Sequence, residues 1–226
     1  MRSINFKRVT IYAGHYGSGK TNLTVNQALC LRGQGTEVSV IDLDIVNPYF
    51  RTKDSEELFV DRGIRLISSK FANSNLDIPS IPAAANSAFD DHSRHVVIDL
   101  GGDDAGAIAL GRYSGMIDPD ETDMFLVLNR CRPMTRTPEQ ALEMKHDIES
   151  ASRFGFTGIV NNTNLGSETD EALVLDSVGF AQEVSRLTVL PVVFTSVVKR
   201  LFKPLEGKIE NLVPIDIYGG SAKFNV

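Results

Sequence analysis

Gly14-His15-Tyr16-Gly17-Ser18-Gly19-Lys20-Thr21 is the stretch whose residue types and spacing most closely dictate a chemistry. It fits the pattern G-x-x-x-x-G-K-[ST], which suits a polyphosphate. Glycines allow backbone conformations closed to residues with a Cβ, so successive N–H groups can turn inward around phosphate oxygens. Lys20 would add a mobile charge at the β- and γ-phosphates, and the Thr21 hydroxyl is a ligand for Mg²⁺. A helix beginning at Lys20 would aim its positive dipole end at the same anion. The candidate nucleotide-binding set is therefore Gly14, His15, Tyr16, Gly17, Ser18, Gly19, Lys20, Thr21 and the next residue, Asn22. The plainer alternative is a glycine-rich turn that binds nothing.

A magnesium-dependent phosphate loop needs carboxylates at strand ends, and two apolar runs supply them. Val38-Ser39-Val40-Ile41 leads into Asp42-Leu43-Asp44, and Val96-Val97-Ile98 leads into Asp99-Leu100-Gly101-Gly102. Asp99 occupies a Walker B position, where a carboxylate orients the metal directly or through water. The Gly102 N–H would then be placed to sense a γ-phosphate. Asp42 and Asp44 are expected on opposite faces of a continuing strand with separate tasks, Asp42 in the magnesium shell and Asp44 positioning the attacking water. An aspartate closing a strand can equally be a turn former.

Elements of the right kind surround these residues. Val9-Thr10-Ile11-Tyr12-Ala13 predicts a buried strand running into Gly14, and Lys20 to Arg32 a mostly apolar helix stopped by Gly33-Gln34-Gly35. Further strands are expected at Glu37–Asp42, Ile64–Ile67, His95–Asp99, Asp123–Asn129, Phe156–Asn161 and Thr188–Thr195. Between them come a short helix near Ser55–Arg62, an irregular segment from Asn73 to Pro82, a helix into Phe89, and helices from Thr137 and Thr169. Thr137-Pro138-Glu139-Gln140 reads as a capping box with proline at the first helical position. The alternation predicts an α/β fold: a mostly parallel central sheet covered by helices on both faces, in three layers, with the ligand beyond the carboxyl ends of the strands.

Residues 1–226 are read as one nucleotide-binding domain, with 203–226 as an irregular C-terminal extension. Hydrophobic residues make 42% of the chain and charged residues 23%, both ordinary for a soluble globular protein. A net charge of −6 argues against nucleic acid or an anionic membrane as the main partner. No stretch is long enough to span a bilayer and the N-terminus lacks a signal-peptide core, so the expected location is cytoplasmic. Cys30 reads as a packing residue. Cys131, between Arg130 and Arg132, reads as a thiol whose pKa positive charge would lower, a candidate reactive or metal-binding cysteine.

The loop, Ile41-Asp42-Leu43-Asp44, Val97-Ile98-Asp99, Thr137-Pro138-Glu139 and Ile159-Val160-Asn161, in that order, resemble the MinD/ParA group of P-loop ATPases. That group includes the CooC-type metal-centre maturation ATPases and the cobyrinate-synthase nucleotide domains. The resemblance spans roughly Val9 to Thr195. It implies ATP and Mg²⁺ as cofactors, Asp44 as the catalytic aspartate beside Lys20, Asn161 as the residue that reads adenine, and an ATP-dependent homodimer. One departure concerns the signature lysine after the first glycine, here replaced by His15. Tyr16 likewise stands where a glycine is usual. Arg51, Arg130, Arg132 and Arg136 are the candidates to supply the missing cation, against the plainer reading of solvated arginines.

The function expected is a Mg²⁺-dependent ATPase switch read by a protein partner still to be identified. Absence of CxxC weakens an iron–sulfur or nickel role, and absence of a basic amphipathic helix after Ile209 weakens membrane targeting. Two alternatives stand beside it. A small-molecule kinase or ATP-dependent ligase would use Asn73–Asp91, Asp103, Asp104 and Arg112 as a second pocket, and a scaffold would bind ATP with negligible turnover.

Overall fold

The computed structural model describes residues 1, 4–44, 53–68, 83–102 and 104–218. β1 (Val9–Ala13) is buried along its whole length, and its alternating side chains serve two separate cores. Val9, Ile11 and Ala13 join one apolar cluster, while Tyr12 joins the other. This is the pattern of a strand covered on both faces.

The elements follow in the order β1, α1 (Lys20–Gly33), β2 (Glu37–Leu43), α2 (Lys53–Asp61), β3 (Arg65–Ser68), α3 (Ala83–Asp90), β4 (Arg94–Leu100), α4 (Asp104–Gly111), β5 (Thr122–Leu128), α5 (Pro138–Ser152), β6 (Gly158–Asn161), α6 (Glu171–Thr188), β7 (Val192–Val198), α7 (Lys199–Leu205) and β8 (Leu212–Ile215). The strands form one eight-stranded sheet in the order β3-β2-β4-β1-β5-β6-β7-β8, parallel throughout. Crossovers that step toward β3 carry α1 and α2 on one face. Those that step toward β8 carry α3, α4, α5 and α6 on the other. Such a split keeps every connection right-handed. The direction reverses around β1 and β4, where a doubly wound sheet opens its ligand crevice.

Local chemistry explains the best-formed ends. Thr137 accepts from the Gln140 N–H at 3.3 Å and Gln140 returns to the Thr137 N–H at 3.2 Å, the capping box expected at the start of α5. Asp170 caps α6 by accepting from the Leu173 N–H at 2.8 Å.

Three regions differ from the sequence expectation. Strand β7 runs to Val198 rather than ending at Thr195, and the stretch expected to be irregular instead contributes the end of α7 and an eighth strand. Helix α4, which the sequence reading does not assign, follows Gly102 closely. The Asn73–Pro82 segment, Arg51 and Asp103 lie outside the described residues. Among those that are described, no helix is long and apolar enough to cross a membrane.

Candidate nucleotide site

The loop leaves β1 at Gly14 and enters α1 at Lys20, with Gly19 in the left-handed region at φ +90°. A side chain at Gly19 would be strained by that φ, and its Cβ would lie 2.2 Å from Asn162 Nδ2. The His15 carbonyl organises the loop, accepting from the Ser18 N–H at 3.1 Å and from Lys20 Nζ at 3.1 Å. Lys20 is thereby folded back into the cradle and is 6% exposed, an arrangement a buried ammonium adopts only beside acceptors.

The carboxylates arrive from the neighbouring strands. Asp42 on β2 is the register partner of Asp99 on β4, so both project from the α1 face of the sheet. Thr21 Oγ1 donates to Asp99 Oδ2 at 2.5 Å, joining the first turn of α1 to the end of β4. Asp99 is buried, and its other oxygen, Oδ1, has no hydrogen-bond partner among the described residues. Burial, then the charge of Asp42, pushes its pKa up to about 7, while Lys20 and Thr21 pull it down. A buried carboxylate oxygen without a donor, beside a second carboxylate and a hydroxyl, is a hard-oxygen set that fits a divalent cation. Among the described residues no three His, Cys, Asp or Glu side chains converge into a complete cage. Mg²⁺ bound beside a polyphosphate takes one or two protein carboxylates and fills its remaining positions with phosphate oxygens and water.

Asp42 and Asp44 do not oppose one another across a pleat. Residues two apart on a strand share a face, and β2 in any case ends at Leu43. Asp44 lies just past it, its N–H donating to Asp42 Oδ1 at 2.9 Å, and its half-buried side chain lines the cavity above the loop. Gly102 packs directly on the loop, where an added Cβ would come within 2.4 Å of the Tyr16 nitrogen.

A cavity of about 510 Å³ extends from Lys20, Thr21 and Asp44 across the ends of β6, β7 and β8. Its volume is that of a site for a nucleotide-sized ligand. Asn162, Thr163 and Asn164 form one wall, and Val198, Ile215, Ile217 and Tyr218 bring apolar surface to it. The chain after β8 is fastened to α1: Asn26 donates to the Asp216 carbonyl at 2.8 Å and accepts from its N–H at 2.9 Å, and Asn22 accepts from the Tyr218 N–H at 2.8 Å. Asn22 thus both lines the cavity and anchors its C-terminal wall.

Asn161 is placed elsewhere. It is fully buried, donates to Ser177 Oγ at 2.8 Å and accepts from Thr163 Oγ1 at 2.9 Å, a structural link between β6 and α6 away from the cavity. The neighbouring residue takes the position at the loop: Asn162 donates to the Ser18 carbonyl and accepts from Ser196 Oγ, both at 2.6 Å. Among the candidate arginines, Arg130 pairs with Asp176 and lies over the Phe180 ring, whereas Arg132 donates to the Gly17 carbonyl. The Arg136 N–H joins the α5 cap. Cys131 does not behave as its neighbours in sequence suggest. Burial raises its thiol pKa, and Arg130, Arg132 and Arg136 offset this only in part. Asp104 opens α4 and Arg112 follows it, and neither is among the residues that line the cavity.

No protein-family model matches the sequence, and no curated protein sequence is similar to it. Solved structures are similar in architecture. The cell division protein FtsY of Thermotoga maritima superposes with a TM-score of 0.60 at 17% identity, over 86% of this chain and 63% of that one. Chloroplast FtsY of Physcomitrella patens gives 0.59 at 19%, over 96% and 64%. The signal recognition particle 54 kDa protein of Aeropyrum pernix, solved in complex with GDP, gives 0.57 at 14%, over 86% and 43%. This chain therefore spans less than two thirds of the length of these structures. With the parallel sheet, its two helical layers and a phosphate-loop sequence at the carboxyl end of β1, the likeness shows that the chain has the three-layer α/β P-loop NTPase fold.

Proposed function

We propose that the protein is a magnesium-dependent nucleoside triphosphatase of the MinD/ParA kind that uses ATP and works as a switch. The observation that carries this reading is the Thr21–Asp99 hydrogen bond with Asp42 in register beside it, directly under the Gly14–Thr21 loop. Loop N–H groups and Lys20 would hold the phosphates, while Thr21, Asp42 and Asp99 would hold Mg²⁺. When bound, the metal would supply positive charge that offsets the charge of the phosphates. Asp44 orients the attacking water from the cavity wall, and Gly102 couples the end of β4 to the loop, the element a partner or a second subunit would read.

Adenine is favoured by the base end of the cavity. Asp44, at the phosphate end, is the only carboxylate lining the cavity among the described residues. Guanine presents adjacent N–H donors that call for an acceptor-only carboxylate, whereas adenine offers one donor beside one acceptor. Asn164 lines the cavity with its amide donating to the Asn162 carbonyl at 2.8 Å and accepting from the Gly166 N–H at 3.3 Å. One N–H and one lone pair are left for a base, so Asn164 replaces Asn161 as the proposed reader. The GDP in the structurally similar signal recognition particle protein makes GTP the second reading.

Titration of the wild type with Mg·ATP and Mg·GTP decides between the two. Lys20→Ala should lose tight binding of either. Asp44→Ala should keep binding while hydrolysis falls by about a hundredfold or more, and unchanged turnover in that variant would remove Asp44 from its role.

A further inference from the structure

Arg132 stands on a loop that is built to hold it still. Asn129 Oδ1 accepts from the Cys131 N–H at 3.1 Å and the Asn164 N–H at 3.3 Å, and its Nδ2 donates to the Asn164 carbonyl at 3.1 Å. The Asn129 carbonyl in turn accepts from Thr135 Oγ1 at 2.6 Å and from the Arg132 N–H at 3.0 Å. Arg130 is drawn off toward Asp176 and Phe180, so the two arginines diverge from one mount.

From this mount Arg132 reaches the phosphate loop. Its Nε donates to the Gly17 carbonyl at 2.9 Å. The guanidinium lies against Gly17 so closely that an added Cβ would sit 3.0 Å from Nε and 3.2 Å from Cζ. Gly17 has φ +75°, so the turn that admits the guanidinium is itself one that glycine favours. Arg132 lines the same cavity as Lys20, Thr21 and Asp44. Its terminal Nη groups have no carboxylate partner among the described residues. A strut between two loops needs one N–H. An arginine held by Nε also presents two further nitrogens in a fixed plane, the fork that matches phosphate oxygens.

We propose that Arg132 is a catalytic residue that supplies a cation at the transferring phosphate from within the same chain. His15, which follows the first glycine of the loop, turns its Nδ1 to the Tyr16 carbonyl at 3.0 Å. The inference rests on the loop being a triphosphatase site. In the reaction a water oxygen bonds to the γ-phosphorus, the bond from that phosphorus to the β–γ bridging oxygen breaks, and the bridging electrons stay with the diphosphate. The products are nucleoside diphosphate and inorganic phosphate, with one proton released to solvent near neutral pH. Arg132 keeps its protons throughout and donates hydrogen bonds to oxygens whose charge rises in the transition state.

Single-turnover hydrolysis and binding of Mg·ATP and Mg·GTP, with wild type, Arg132→Ala, Arg132→Lys and Lys20→Ala, test this. Arg132→Ala should lower the hydrolysis rate by about a hundredfold to a thousandfold while the triphosphate Kd moves less than about tenfold. Capture of Mg·ADP with aluminium fluoride should be lost in the same variant. Arg132→Lys should recover part of the rate, because it keeps the charge without the fork, and added guanidinium ion should partly rescue Arg132→Ala. Turnover and aluminium fluoride capture by Arg132→Ala within about threefold of a wild type that binds nucleotide would overturn this inference and leave the triphosphate site standing. A wild type that binds neither triphosphate, and so matches Lys20→Ala, would overturn the site and the inference together.

Discussion

Asn162 Nδ2 donates to the Ser18 carbonyl at 2.6 Å, so the phosphate loop is bolted to the end of β6 by one buried amide. The other end of that amide accepts from Ser196 Oγ on β7, which carries the brace one strand further. Asn162→Ala would leave the Ser18 carbonyl and the Ser196 hydroxyl without these partners, at about 1–3 kcal/mol each. The expected outcome is a lower urea midpoint at unchanged slope, with triphosphate affinity weakened about tenfold. Asn162→Asp should bind nucleotide less well than Asn162→Ala, since it sets a carboxylate against a carbonyl and beside the phosphates. Equal affinity in the two variants would show that the amide braces the fold alone.

Asp99 gives the nucleotide-free protein a specific response to pH. Its carboxyl has an ordinary value near 3.8 and is raised to about 7 in the fold. Between those values the folded state holds a proton that the unfolded state has released. Stability therefore falls as pH rises through that window and levels off above it. With Asp99 in the proposed magnesium shell, binding of Mg·ATP would need the ionised carboxylate and should expel the proton. Calorimetry at pH 6 in two buffers of different ionisation heat should show proton release, and the release should fade by pH 8. Asp99→Asn should abolish it.

The parts of the site legible in the sequence are those whose chemistry is local. Glycine spacing, Lys20 and Thr21 announce a loop without reference to anything distant, and an apolar run ending in Asp99 announces a strand that delivers a carboxylate. Asn161 and Asn162 are not told apart by pattern, because β6 is buried on both faces and no polar alternation reveals which of two adjacent asparagines faces the loop. That phase is fixed by contacts with Ser177 on one side and Ser18 on the other, both remote in sequence. β8 is short, carries Pro214 and borders the sheet, a position that tolerates proline but gives little pattern to read.

Val189 follows α6 in the left-handed conformation, with φ 58° and ψ 24°, and is 89% exposed. A β-branched residue there carries a backbone cost of about 1–2 kcal/mol without packing to offset it. Val189→Asn should raise Tm by about 2–4 °C. Nucleotide affinity should stay as it is, because Val189 precedes β7 at the end of the sheet opposite the cavity. A fall in Tm would mean that the valine makes a contact that matters to stability.

Cys131 should alkylate slowly at neutral pH, with iodoacetamide reactivity still climbing beyond pH 9, because its burial outweighs the nearby arginines. Those arginines flank it in sequence but turn away in space, Arg130 to Asp176 and Arg132 to Gly17. A reactivity plateau below pH 8 would contradict the raised pKa.

β1 carries the loop, yet it lies between β4 and β5, with Val9 in register with Val96 on one side and Thr122 on the other. As the chain leaves the ribosome, the phosphate-loop sequence emerges before either flanking strand exists. Its brace is later still, because Asn162 follows β6. A nascent chain stalled before residue 162 thus carries every loop residue without the grip they form together. Under the proposed function, nucleotide capture would be a late event of synthesis, and a stalled chain that ends short of Asn162 should fail to retain nucleotide that the finished chain binds.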